Sequence, residues 1–154
     1  MMEVFRLCRQ PFSTSLSGKG AALYGARWNP VGMELIYTAS NRSLAMAEVA
    51  VHLTLATLPT DYCMMTIAVP DDLAIEHILP ADLPPNWNRF PHGPETQKLG
   101  EAFLLSGKAP VLQVPSAVVQ GDFNILINPQ HGAFSCIQIV SVEPFPFDQR
   151  IFKG

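Results

Sequence analysis

Charge is what this sequence has least of. Only 15% of its 154 residues are Asp, Glu, Lys or Arg, against 48% hydrophobic, whereas an ordinary soluble domain carries about 25% charged residues. So small a supply of charge leaves apolar surface exposed, and part of it is expected to face a partner. Net charge is −3 and the Lys and Arg residues form no run. That argues against the basic surface with which nucleic-acid binders track phosphates. Long apolar runs are also missing. Pro, Asp, Gln or Asn interrupts each one well short of the roughly 20 residues needed to cross a bilayer, so no membrane association is expected. The opening stretch, MMEVFRLCRQPF, has neither the charged start and apolar block nor the small-residue cleavage site of a secretory signal. A cytoplasmic protein is expected.

Other absences narrow the chemistry. Cys8, Cys63 and Cys136 are odd in number and far apart. In apolar, β-like surroundings they read as small core residues, not as a disulfide framework or a nucleophile. His52, His77, His92 and His131 show no ligand spacing and no clustered Cys or carboxylate partner, so no metal is expected. There is no phosphate-binding P-loop, no GxGxxG fingerprint, and no Gly-x-Ser-x-Gly elbow to present an acyl-transfer serine.

The length suits one domain, residues 1–154. Residues 3–8 alternate as a half-buried strand does, and the Ser- and Gly-rich stretch after Pro11 reads as a flexible loop. Residues 24–29 and 35–38, flanking the turn Asn29-Pro30-Val31-Gly32, suggest two joined strands. The run SLAMAEVAVHLTLATL, capped by Ser40 or Asn41 and free of Gly and Pro, predicts a helix over 43–58. On it Leu44, Val51, Leu55 and Leu58 share a stripe, and Glu48 lies about 40° from Leu44 at 100° per residue. Strands are expected near 62–69, 111–119, 123–127 and 136–142 and a second helix near 95–106, with a Pro-rich loop over 81–94. Strands mixed with two clear helices imply an α+β domain, not a regular βαβ alternation.

Glu48 stands out because a carboxylate on an apolar stripe is costly unless it is paired, wetted or required. It either pairs at the helix edge or borders a cleft, where it would bind a hydroxyl or stabilise positive charge. Arg27 is either a solvated turn residue or a planar clamp for phosphate. Tyr37 is either core or a ring that stacks on a ligand. Ser116, in the apolar stretch Val114-Pro115-Ser116-Ala117, offers a small hydroxyl. Asn124 and Asn128 flank Ile125-Leu126-Ile127 at turn spacing.

Four stretches in order, Gly25-Ala26-Arg27-Trp28-Asn29, Leu35-Ile36-Tyr37-Thr38, Ala45-Met46-Ala47-Glu48, and Val114-Pro115-Ser116-Ala117 running on to Asn124-Ile125-Leu126-Ile127-Asn128-Pro129, resemble the RES-domain family, named for its Arg, Glu and Ser. Ala26 is a mild departure from the Gly-Gly-Arg-Trp-Asn-like pattern. The resemblance implies an ADP-ribosyltransferase-like fold, a split mixed β-sheet with flanking helices. It implies the toxin of a toxin–antitoxin pair, with an Xre-like helix-turn-helix antitoxin as partner and homo-oligomers within the complex compatible with it. It further implies NAD⁺ as substrate, cleaved at the nicotinamide–ribose bond by hydrolysis or phosphorolysis. Arg27 would grip the phosphates or ribose, Tyr37 would pack on the nicotinamide side, and Glu48 would stabilise the reacting ribose. Ser116 would position that ribose, with Asn124 an added contact. Protein ADP-ribosylation is the alternative outcome in the same cleft, and an RNA-cleaving toxin or an inert binding module are further ones.

Overall fold

The structure is a computed structural model and describes residues 1–152. Seven strands form one sheet in the order β4-β5-β6-β2-β1-β3-β7. The strands are β1 (Met2–Arg9), β2 (Ile36–Ala39), β3 (Tyr62–Val69), β4 (Ile75–His77), β5 (Val111–Pro115), β6 (Phe123–Ile127) and β7 (Gln138–Pro144). Three helices accompany them: α1 (Lys19–Tyr24), α2 (Arg42–Ala50) and α3 (Pro94–Ser106). Every neighbouring pair is antiparallel except β4–β5, which is parallel, so the sheet is mixed and the domain α+β. Among the described residues no helix is long and apolar enough to cross a membrane.

Alternation along the strands assigns the two faces. Val4, Ile36, Met65, Ile67, Ile125 and Ile127 belong to one cluster, covered by loop residues such as Leu16, Leu73 and Phe134. The opposite face carries two clusters side by side. Leu35, Leu112, Val114 and Leu126 pack with Trp28 and Phe103 of α3, while Phe5, Leu7, Ala39 and Met64 pack with Leu44 and Ala45 of α2.

The division between those two clusters begins in the ladder. β1 and β3 pair in continuous register from Met2↔Val69 to Arg9↔Tyr62, but β1 and β2 share only Phe5↔Ala39. Beyond that pair the two central strands part, which is the expected split. Arg6 lies at the split, its Nη1 donating to the Tyr37 carbonyl at 3.2 Å.

Several local expectations need correcting. The helix expected over 43–58 stops at Ala50, after Asn41 caps it by accepting the Leu44 amide at 2.8 Å. At its end the His52 and Leu53 amides turn back to the carbonyls three residues earlier. Thr54 and Thr57 then bond each other through their hydroxyls and form a separate 3₁₀ turn at Leu55–Thr57. The Thr57 hydroxyl also bonds the Thr54 amide and carbonyl, side-chain-to-backbone bonding that favours a separate turn over renewed helix. Only Leu44 of the expected stripe is buried; Val51 and Leu55 are exposed.

Residues 24–29 are not a strand. They hold only an Ala26↔Asn29 bridge, because the buried Asn29 side chain donates to the carbonyls of Ala21, Pro30 and Met33 and so replaces a ladder. The loop expected after Pro11 is present up to Gly18, and only its last two residues, Lys19 and Gly20, join α1; Gly18 sits so close to Leu35 that a Cβ would be 2.7 Å from the Leu35 nitrogen. β5 ends at Pro115, so Ser116 lies past the strand and not within it. Cys8 and Cys63 are buried and face each other in register, but Cys136 is exposed in the 3₁₀ turn Phe134–Cys136. The three-residue β4 carries too little pattern to be read from sequence.

Helix α3 docks through Gly100. A Cβ there would lie 1.6 Å from the Trp28 carbonyl oxygen, so the helix rests directly on backbone. Gly100→Ala should therefore displace α3 and destabilise the protein by about 1–3 kcal/mol or more, as overpacking does. Gly20→Ala in α1, where nothing lies within 4 Å, should be neutral or slightly stabilising through helix propensity. Thermal unfolding of the two variants beside the parent checks the contrast.

Candidate functional site

Where β1 and β2 part, a cleft of about 800 Å³ opens, walled by Arg6, Arg27, Tyr37, Glu48, Asn124 and the loop around Phe90. That volume is near the upper end of the roughly 300–1,000 Å³ typical of small-molecule sites. Among the described residues its charged lining side chains are two guanidiniums, Arg6 and Arg27, and one carboxylate, Glu48. With net positive charge beside a carboxylate, the cleft suits a ligand that carries phosphates and a centre able to become cationic.

Glu48 lies on the cleft-facing side of α2. Its Oε1 accepts a hydrogen bond from the Ser116 hydroxyl at 2.8 Å. The Ser116 oxygen itself accepts the amides of Val118 and Val119, both at 3.0 Å. A serine hydroxyl has one proton and two lone pairs, so all of its hydrogen-bonding capacity is used and its proton is committed to Glu48. Ser116 is 4% exposed and meets the cleft only through its bond to Glu48. No free hydroxyl is left there to act as a nucleophile.

Arg27 projects from the tight 26–29 segment. Its Nη1 donates to the carbonyls of Trp87 at 2.9 Å and Arg89 at 3.1 Å, which ties the Pro-rich loop to the cleft wall. Burial lowers the Arg27 pKa, while the nearby Glu48 charge opposes that shift; a guanidinium stays charged under either influence. Helix α3 holds the segment from behind. The Thr96 hydroxyl donates to the Arg27 carbonyl at 2.6 Å, and Gln97 Nε2 donates to the carbonyls of Ala26 and Asn29.

Tyr37 shows the cleft its ring. Its hydroxyl donates to Asn29 Oδ1 at 2.6 Å and accepts the Trp28 amide at 3.0 Å. Burial pushes its pKa well up, so it stays neutral. Asn124 is buried in β6, its Nδ2 donating to the Thr38 carbonyl at 3.2 Å, and it lines the cleft where β6 meets β2.

The structure thus gathers Arg27, Tyr37, Glu48 and Asn124 on one cleft, with Ser116 directly behind Glu48. It adds Arg6, which the sequence reading passed over as the polar position of an alternating strand. Burial lowers the Arg6 pKa, and among the described residues no carboxylate pairs with it. The available signal was an arginine with Phe5 and Leu7 on either side, in a strand that turns out to be central to the sheet.

Comparison with known proteins gives a consistent result. A family model described as the RES domain matches residues 3–148. A protein of Sphingobium sp. named Prs ADP-ribosylating toxin is 36% identical over 140 residues, covering 90% of this chain and 87% of that one. A protein of Yersinia enterocolitica named Toxin Res is 35% identical over 152 residues, covering 97% and 99%. Among solved structures, the M. tuberculosis MbcT-MbcA toxin-antitoxin complex contains a chain that superposes with a TM-score of 0.78 at 23% identity. The match covers 94% of this chain and 84% of that one, and at this identity it bears on the fold alone.

Tyr37→Phe tests the internal network. Removing the hydroxyl leaves the Trp28 amide and the buried Asn29 oxygen each short of a partner. The expected cost is about 1–3 kcal/mol of stability, read as a lower midpoint in urea unfolding with unchanged slope.

Proposed function

Because this chain belongs to the RES domain family, we propose that it is the toxin of a toxin–antitoxin pair and that it consumes NAD⁺ at the nicotinamide–ribose bond. The observation that carries this reading is the Glu48 carboxylate, held by Ser116 at 2.8 Å on the wall of a cleft that also presents Arg6 and Arg27.

NAD⁺ is the substrate. When the bond from nicotinamide N1 to ribose C1′ breaks, the electron pair leaves with nicotinamide, which departs neutral, and positive charge develops on the ribose. A carboxylate fixed beside that carbon lowers the energy of the charge. Ser116 holds the carboxylate in place before reaction, so little reorganisation is needed. Arg27 grips the diphosphate with the donors that the loop carbonyls leave free, and Arg6 adds a second cation. Tyr37 supplies a flat surface for the nicotinamide side, and Asn124 a polar contact at the floor. Holding the dinucleotide in a reactive pose accounts for much of the work, since the leaving group is already activated.

Net breakdown of NAD⁺ by water or phosphate is the favoured outcome, because among the described residues the site includes no Lys or Cys to retain the ribose. The relative named as an ADP-ribosylating toxin favours a second reading, in which a protein side chain enters the same cleft. Labelled NAD⁺ incubated in lysate, with and without phosphate, separates them. Free products support breakdown, a rate that rises with phosphate marks phosphorolysis, and label concentrated on one protein band establishes protein modification.

The partner on this reading is an Xre-like antitoxin that covers the cleft. Expression of the chain alone should be toxic, and the product of a neighbouring gene should co-elute with it in gel filtration. Failure of both would remove the toxin role.

Glu48→Gln should keep the fold and lower nicotinamide release on the order of 10²-fold or more, since it removes charge while preserving shape. Normal turnover at unchanged melting temperature would remove Glu48 from the chemistry. Arg27→Lys should not restore activity, because an ammonium cannot reproduce the planar, two-pronged contact of a guanidinium to a diphosphate.

A further inference from the structure

An exposed aromatic ring is held in place at the mouth of the cleft. Phe90 is 79% exposed, yet it lines the cleft together with His52 and Asn88. Its ring centroid lies 6.1 Å from that of His52, with the planes 52° apart. The two rings are tilted against each other, and the phenyl ring is left largely open.

The loop that carries Phe90 is anchored on both sides of it. Arg27 holds the Trp87 and Arg89 carbonyls, Trp87 packs against Trp28 with centroids 6.1 Å apart, and Arg89 pairs with Glu95 at 3.2 Å. A single exposed ring is ordinary on a protein surface; this one is set apart by its anchored loop and its place on the cleft wall. Phe90 directly follows the residue whose carbonyl Arg27 holds, so it stands beside the cation assigned to the diphosphate. Asn88, two residues earlier, has no hydrogen-bonded side chain among the described residues. An asparagine amide pairs bidentately with adenine through N6 and N7.

We propose that Phe90, beside His52, stacks the adenine ring of the dinucleotide while Asn88 contacts its edge. This assignment rests on the NAD⁺ reading above and extends it to the half of the substrate remote from Glu48. It leaves Tyr37 and Glu48 to the nicotinamide half and places the non-reacting end at the solvent side of the cleft, with the diphosphate bridging at Arg27.

The test uses 5′-AMP and nicotinamide mononucleotide as separate probes, titrated by calorimetry into the full chain and into its Phe90→Ala and Phe90→Trp variants. Because Phe90 is exposed, neither substitution disturbs the core. Phe90→Ala should weaken 5′-AMP binding on the order of tenfold, as loss of base–aromatic stacking does, and leave the mononucleotide unchanged. Phe90→Trp should bind 5′-AMP as the parent does. In turnover, Phe90→Ala should raise the KM for NAD⁺ by a similar factor with kcat intact. Equal 5′-AMP affinity in parent and Phe90→Ala, or a loss confined to the mononucleotide, overturns the assignment. A parent protein that binds 5′-AMP but releases no nicotinamide overturns the proposed reaction instead, so the two failures are read on different arms.

Discussion

The parting of β1 and β2 after a single residue pair is the constraint on which the rest of the structure depends. Strands in the middle of a sheet normally satisfy each other's amides and carbonyls, and an unpaired buried group is costly. Here the Phe5↔Ala39 pair is the last one, and beyond it the Tyr37 carbonyl takes its hydrogen bond from the Arg6 side chain. The guanidinium thus does locally what a neighbouring strand would have done. Because the strands separate, the face between α2 and α3 opens into a cleft instead of closing into core, and the side chains around that opening include the molecule's most chemically distinctive residues.

A second substitution of side chain for backbone supports the first. Residues 26–29 run beside the cleft without belonging to the sheet, and side chains supply the partners of their polar groups. Asn29 donates to three carbonyls and accepts from Tyr37, Thr96 takes the Arg27 carbonyl, and Gln97 takes those of Ala26 and Asn29. Arg27 is therefore presented by a segment clamped from α3 on one side and from β2 on the other. The close seating of Gly100 on Trp28 gives that clamp its geometry. Rigidity at Arg27 passes to the loop around Phe90, since the same guanidinium holds two of its carbonyls.

Strand content and the α+β class were legible because apolar alternation reports burial directly. β3 and α3 fell close to their expected bounds, and β6 matched residues 123–127. Failures came where tertiary contacts overrode local preference. The helix over 43–58 lacked any Gly or Pro stop signal, yet it ends at Ala50, where the His52 and Leu53 amides turn back three residues, and Thr54 and Thr57 build a separate turn beyond it. Residues 24–29 had strand-like composition but became a tight bridge because Asn29 found three acceptors. The candidate site was legible as a set of residue types in order: Arg27, Tyr37, Glu48 and Asn124 do share one cleft. Composition and spacing could not reveal that Ser116 reaches it only through Glu48, nor that Arg6 enters it from a strand whose pattern looked ordinary. Both facts depend on which strands become neighbours, and that is settled by pairing across long sequence separations.

The two ends of the sheet bear on how a chain this poor in charge guards its open edges. An open sheet offers unpaired amides along its outer strands, and many proteins guard them with lysines. Here one end is the three-residue β4, too short to template a long partner strand. The other, β7, ends at Pro144, is bent by a register shift opposite Thr66/Ile67, and is followed by Pro146. Proline has no amide to donate, and a bulge twists the edge out of plane. Protection against ribbon-like association is therefore geometric and not electrostatic, so it does not weaken when salt screens the few charges the molecule has.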